Sequence, residues 1–117
     1  MQPTPHITRA DVLRVLAREF PEGDAAALLA LLDEYGGESW HRERERVQMA
    51  ILKLAAGDHD RLRHYVKSAK DDYRDVLAWA EYPGYARQVP GPGPLPPEGT
   101  QRIIAADWAQ YQAWLRR

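Results

Sequence analysis

The chain of 117 residues contains no cysteine, one phenylalanine, two methionines and no long apolar run. Without cysteine there is no disulfide, no thiolate nucleophile and no cysteine-ligated zinc or iron–sulfur site. The longest apolar stretches, residues 25–32 and 49–56, fall well short of the roughly 20 residues that cross a bilayer, so we predict no membrane contact. The first residues also lack the apolar run of a signal peptide, and we therefore expect a cytoplasmic protein.

Charge of one sign is not in excess either. Sixteen Lys and Arg residues face seventeen Asp and Glu residues, which gives a formal net charge of -1. A chain with this balance has no global basic field, so binding to nucleic acid through overall charge is disfavoured. The sequence also lacks an HExxH motif and a glycine-rich phosphate loop. We accordingly predict no cofactor, no metal and no catalytic residue.

Apolar residues recur at intervals of three and four, and no stretch alternates with period two. This pattern predicts an all-α single domain of about five helices, packed as a compact bundle or in short armadillo- or HEAT-like helix pairs. Residues 8–82 are expected to form the helical core and residues 83–97 a connector. Residues 98–117 are expected to form a C-terminal amphipathic helix.

Capping residues divide the core into helices. Thr8 and Asp11 have the spacing of a capping box at the start of a first helix, and Asp24 is placed to cap a second. Ser39 is placed to cap a third, central helix, with Trp40 in its buried stripe. Gly57 is predicted to end that helix in the left-handed conformation.

The fourth helical segment, capped by Asp58, has two interpretations. Its apolar residues keep one phase up to residue 82, which favours one long helix. Alternatively, the chain kinks near Lys70 and Asp71-Asp72 cap a new helix. Twelve residues are predicted to form the core: Leu13, Leu16, Leu28, Leu31, Leu32, Val47, Ile51, Leu54, Leu62, Val66, Val76 and Leu77.

The connector holds six prolines, which cannot sustain a helical hydrogen-bond ladder. We interpret its run Pro90–Pro97 as a stiff spacer, the alternative being a ligand for an aromatic groove. In the last helix Asp107 lies within the apolar arc. A buried carboxylate needs a donor, and we expect an arginine or a tyrosine hydroxyl. The last helix docks either on its own chain or on a second copy.

Four residues at helical spacing form the main candidate site. Asp72, Asp75, Trp79 and Tyr82 would line one stripe of the fourth helix, mixing carboxylates with large aromatic rings. Such an acidic-aromatic surface suits a cationic peptide or another subunit. The structural interpretation is that both aromatic residues form a second packing layer, while the aspartates pair with arginines; we favour it for the stripe, because aromatic residues at helical spacing more often pack than form a binding surface.

A second candidate site is a basic line on the third helix. Arg42, Arg46 and Lys53 would lie opposite its apolar stripe and could hold phosphates. The pair His41 and Glu45, four residues apart, has metal-ligand spacing, but two ligands do not make a site. Our leading hypothesis is a non-enzymatic protein–protein interaction or structural module that binds an unknown partner or itself. Nucleic-acid binding through the basic line is the alternative, ahead of an enzyme of unknown class.

Residues 43–54 (ERERVQMAILKL), followed by Gly57-Asp58 and residues 72–83 (DYRDVLAWAEYP), resemble a small family of uncharacterised bacterial proteins. The resemblance covers residues 40–86. It implies an all-helical fold similar to the helix-pair packing of armadillo-type superhelices. It carries no activity, cofactor or site residue to this chain, because fold analogy alone does not imply function.

Overall fold

The computed structural model describes residues 5–88 and 97–117. These residues form six helices and no strand, which confirms the all-α prediction. None of these helices is both long and apolar enough to cross a bilayer. The helices are α1 (Arg9–Glu19), α2 (Ala25–Leu32), α3 (Arg44–Ala55), α4 (His59–Glu81), α5 (Pro83–Gln88) and α6 (Pro97–Leu115).

Helix α3 lies at the centre of the fold, as predicted, and packs against α1 and α4. Residues 47–52 are all buried, whereas a helix on a protein surface buries only one face. Gln48 is the polar member of this run. Its side-chain amide donates hydrogen bonds to the backbone carbonyls of Leu32 (3.3 Å) and Tyr35 (2.9 Å), so it fixes the end of α2 on α3.

The predicted caps of three helices are confirmed. The Thr8 hydroxyl accepts the N–H of Asp11 (3.2 Å), and the Asp11 carboxylate accepts the N–H of Thr8 (3.0 Å). Asp24 and Asp58 each accept a backbone N–H from the first turn of α2 and α4. These short-range bonds satisfy N–H groups that a helix start leaves without partners, which is why sequence spacing predicts them.

Nine of the twelve predicted core residues are buried. Leu13 is the clear error, because 43% of its surface is exposed. Leu31 and Leu54 are only partly buried at the edge of the core. Helix α1 instead turns Val12, Val15 and Leu16 inward. Its sequence offers two overlapping apolar stripes, and contact with α3 selects one of them.

Helix α4 is broken at Asp72, whose φ of -156° and ψ of 101° are not helical. The Tyr65 and Trp79 rings lie 6.3 Å apart, although residues fourteen apart in a straight helix are separated by about 21 Å. The two halves therefore meet at a sharp bend. The Asp72 carboxylate accepts the N–H of Arg74 (3.0 Å) and so caps the second half. The favoured single long helix is wrong, and the break falls at the alternative position.

The predicted connector begins with a helix rather than an extended chain. Residues 83–88 form α5, with Pro83 at the first helical position, where its missing N–H is not needed. The prediction of non-helical backbone is therefore wrong at its start. The predicted spacer Pro90–Pro97 lies outside the described residues except at Pro97, where α6 begins.

Asp107 of α6 explains why α5 forms. Its buried carboxylate accepts the backbone N–H groups of Gly84 (3.0 Å) and Tyr85 (2.9 Å) at the start of α5. The expected arginine or tyrosine hydroxyl is thus replaced by backbone donors from another helix. A Cβ at Gly84 would lie 2.8 Å from the Asp107 carboxylate, so a larger residue there would displace that carboxylate.

Helix α6 docks on its own chain. Tyr111 and Trp114 are buried, and their rings stack with centroids 5.8 Å apart. The Arg18 guanidinium of α1 lies 4.8 Å from the Trp114 ring centre and donates a hydrogen bond to the carbonyl of Leu115 (3.2 Å). The end of α1 therefore holds the C-terminal end of α6.

Candidate functional site

The segment between α2 and α3, residues 33–43, is a loop that we call the α2–α3 loop. The sequence predicted that Ser39 caps α3 and that Trp40 packs inside it, but α3 begins only at Arg44. The Tyr35 hydroxyl explains the difference: it donates to the carbonyl of Arg42 (2.6 Å) and accepts its N–H (3.1 Å). The carbonyl and the N–H of Arg42 are therefore bound to a side chain outside the helix, and α3 begins after this residue.

His41 fixes the same loop from within. Its ring stacks on Tyr35 with centroids 4.6 Å apart, and its Nδ1 accepts the backbone N–H groups of Gly36 (2.8 Å) and Glu38 (3.3 Å). Nδ1 of His41 is thus engaged within the loop. No group of three or more His, Cys, Asp or Glu residues among those that the structure describes is arranged to hold a metal.

This fixed loop presents Trp40 to solvent. Trp40 is 68% exposed, more than Trp79 or Leu13, and its ring and that of His41 meet in a T-shaped arrangement, with centroids 5.9 Å apart. Beside it runs a groove of about 330 Å³ between the loop and the bend of α4. We call it the Trp40 groove. Its lining consists of Tyr35, Trp40, His41 and residues 69–74.

Most charged side chains of the Trp40 groove are already paired. The Lys70 ammonium lies 3.1 Å from the Glu34 carboxylate across the groove wall. Both carboxylate oxygens of Asp72 accept hydrogen bonds from the Arg74 guanidinium, each at 3.1 Å, and this arginine lowers the pKa of Asp72 below its ordinary value. Asp71 is exposed and makes no ion pair with any described residue.

The predicted acidic-aromatic stripe is divided by the bend of α4. Asp72 sits in the bend, Asp75 is exposed, and Trp79 is 44% exposed beside Tyr65. Tyr82 is buried and ends α4, and burial raises the pKa of its hydroxyl. Trp79 and Tyr82 therefore do not share one open surface. Tyr82 instead lines a small cavity of about 230 Å³ beside the Arg46–Glu81 ion pair.

The predicted basic line does not form a free helix face. Arg42 lies before α3, on the loop. Arg46 is bound to the buried carboxylate of Glu81 through two hydrogen bonds of 2.7 and 2.8 Å, which raise the pKa of its guanidinium. Lys53 lies over the ring of Tyr111, 5.9 Å from its centre, and burial lowers the pKa of its amine. The α3 side that carries Arg46 and Lys53 is thus covered by the end of α4 and by α6.

A wider groove of about 910 Å³ lies at the other end of α3, with Lys53, Arg18 and Trp114 in its wall. Arg18 already donates to the carbonyls of Leu115 and Arg117 and to the carboxylate of Glu19. The Arg18 guanidinium therefore holds the ends of helices α1 and α6. The Trp40 groove is the better candidate, because it joins a fixed exposed aromatic residue to a carboxylate without an ion pair.

The sequence contained part of the signal for this site. Gly36-Gly37 indicated a chain break just before Trp40, but Trp40 is seven residues from Val47 and so shares its helical phase. That phase assigned Trp40 to the apolar stripe of the third helix. The bonds of Tyr35 and His41 to the loop backbone depend on tertiary placement, and no periodic pattern reports them.

The chain matches no protein-family model, no curated protein and no solved structure. The resemblance of residues 40–86 to uncharacterised bacterial proteins therefore stays a prediction.

Proposed function

We propose that this chain is a non-enzymatic helical module that binds another protein through Trp40. The observation that carries this proposal is an exposed tryptophan on a loop that is fixed by four hydrogen bonds and a stacked ring pair. Tryptophan is enriched among the residues that dominate binding energy at protein interfaces. A loop that is already ordered loses little conformational entropy on binding, which favours affinity.

The size of the effect follows from exposed area. A tryptophan side chain buries roughly 150–250 Å², and 68% of Trp40 is exposed. Covering that fraction removes about 140 Å² of largely apolar surface from water, which is worth about 3 kcal/mol. Loss of this term weakens binding by roughly a hundredfold. Because the side chain is mostly solvated, Trp40→Ala is expected to leave folding intact.

Two matched variants test the proposal. Tagged wild type, Trp40→Ala and Trp79→Ala are used to capture proteins from lysate of the source cells, with and without nuclease treatment, followed by quantitative mass spectrometry. We expect proteins that wild type and Trp79→Ala retain and Trp40→Ala loses. Light scattering of the same variants reports self-association. If wild type and Trp40→Ala capture the same proteins, the proposal is contradicted. Loss of every captured protein after nuclease treatment favours nucleic-acid binding instead.

We place this activity in the cytoplasm, since a chain without cysteine suits a reducing compartment. We also group the chain with the uncharacterised bacterial helical proteins that its middle third resembles. These two proposals concern the location and the relatives of the module. The proposed binding through Trp40 does not depend on either of them.

A further inference from the structure

The charge left uncommitted in the Trp40 groove is negative. Lys70 and Arg74 line the groove, but each is held by a carboxylate, Glu34 and Asp72 respectively, at 3.1 Å. Asp71 lines the same groove and is exposed, and its carboxylate has no ion pair within the described part of the chain. A ligand that enters this groove therefore meets one free carboxylate and no free cation.

The aromatic wall of the groove includes one ring, that of Trp40, which is not part of a stacked pair. The Tyr35 and His41 rings stack on each other, whereas Trp40 and His41 meet in a T-shaped arrangement, with an angle of 75° between the ring planes. Because 68% of Trp40 is exposed, at least one face of the indole is open to solvent. Among aromatic side chains, tryptophan attracts cations most strongly over its ring face.

An open indole face beside a free carboxylate complements a guanidinium group. A guanidinium stacks on aromatic rings and donates paired hydrogen bonds to a carboxylate, and lysine lacks this planar geometry. The volume of about 330 Å³ is at the small end of ligand pockets, roughly 300–1,000 Å³, so it suits one long side chain. We infer that the Trp40 groove binds an arginine side chain of a partner protein, with its guanidinium between Trp40 and Asp71.

This inference rests on the proposed function, because it names the chemistry of the partner at the same site. The first test is selection of a random peptide display library on the full chain, with counter-selection on Trp40→Ala. We expect Trp40-dependent peptides enriched in arginine. Trp40-dependent peptides without this enrichment would overturn the inference and leave the proposed function standing. If no selected peptide depends on Trp40, both are overturned.

The second test uses one selected peptide and its copy with arginine replaced by citrulline, which keeps the shape and removes the charge. We expect the citrulline peptide to bind wild type about tenfold more weakly, as expected for loss of a cation–π contact and a charge-assisted hydrogen bond. Asp71→Asn should weaken the arginine peptide by a similar factor and leave the citrulline peptide unchanged. Asp60→Asn, which alters an exposed carboxylate in the first turn of α4, is the control.

Binding is measured by fluorescence anisotropy of the labelled peptide, at two salt concentrations. Asp71 and Trp40 are both exposed, so neither variant removes a core contact, and circular dichroism checks that each folds. Equal affinity for the arginine and citrulline peptides overturns the inference. So does an Asp71→Asn variant that binds the arginine peptide as tightly as Asp60→Asn does.

Discussion

The buried ion pair between Arg46 and Glu81 provides the sharpest test of the packing. Glu81 is only 2% exposed, and the Arg46 guanidinium donates to both of its carboxylate oxygens, at 2.7 and 2.8 Å. Removing one partner of such a pair leaves a buried charge without compensation, which costs 3–5 kcal/mol in order of magnitude. Arg46 itself is 22% exposed, so we take the lower end. We expect Arg46→Met to lower the free energy of unfolding by about 3 kcal/mol.

The double variant tests the cause. Replacing both Arg46 and Glu81 by methionine removes the charge together with its partner, so its cost should fall well below the sum of the two single variants. Urea unfolding at pH 7, followed by circular dichroism, measures all three variants against wild type. Arg42→Met is the matched control, because that side chain is exposed and makes no ion pair among the described residues. It should change stability by less than about 0.5 kcal/mol.

Two results would refute this reasoning. The first is an Arg46→Met variant whose free energy of unfolding falls by less than about 1 kcal/mol. The charge of Glu81 would then be stabilised by a group other than Arg46. The second is a double variant whose loss equals the sum of the single losses, since the two side chains would then act independently. In either case Arg46 would again be a candidate for the basic line.

Three further predictions concern the cap of α5, an ion pair and the core. Asp107→Ala removes the acceptor for two N–H groups of α5 and should cost about 1–2 kcal/mol in urea unfolding. The hydrogen bond from Arg9 lowers the pKa of Asp33 to about 2, from its ordinary 3.8. The pair therefore stabilises the folded state above pH 4, and this stabilisation is lost as the pH falls toward 2. The stability gap between wild type and Asp33→Asn, about 1–2 kcal/mol at pH 6 after allowance for partial exposure, should therefore shrink by pH 2.5. Val12→Ala should lower the unfolding free energy by about 2 kcal/mol, but Leu13→Ala by less than about 0.5 kcal/mol; a larger loss for Leu13→Ala would show that α1 faces the other way.

The candidate site was only partly predictable. The sequence indicated an aromatic and acidic surface suited to a cationic partner, and our proposal keeps that chemistry. It assigned the surface to Trp79 and Tyr82, on the assumption that α4 runs straight. Tyr82 is instead buried at the end of α4, and the bend at Asp72 brings Asp71 into a groove that Trp40 also lines. A single non-helical residue changes the direction in which every later side chain of the helix points. Helical periodicity in the sequence does not show where such a residue lies.

Local physics determined what the sequence alone could predict. The all-α class, the caps at Thr8, Asp24 and Asp58 and the burial of α3 follow from apolar spacing and from bonds between residues three positions apart. Tertiary structure decided the rest, because it brings together groups that are distant along the chain. The partner of Asp107 lies more than twenty residues away and that of Arg46 thirty-five. The exposure of Trp40 depends on which of its neighbours the loop backbone binds, and only the folded chain settles that competition.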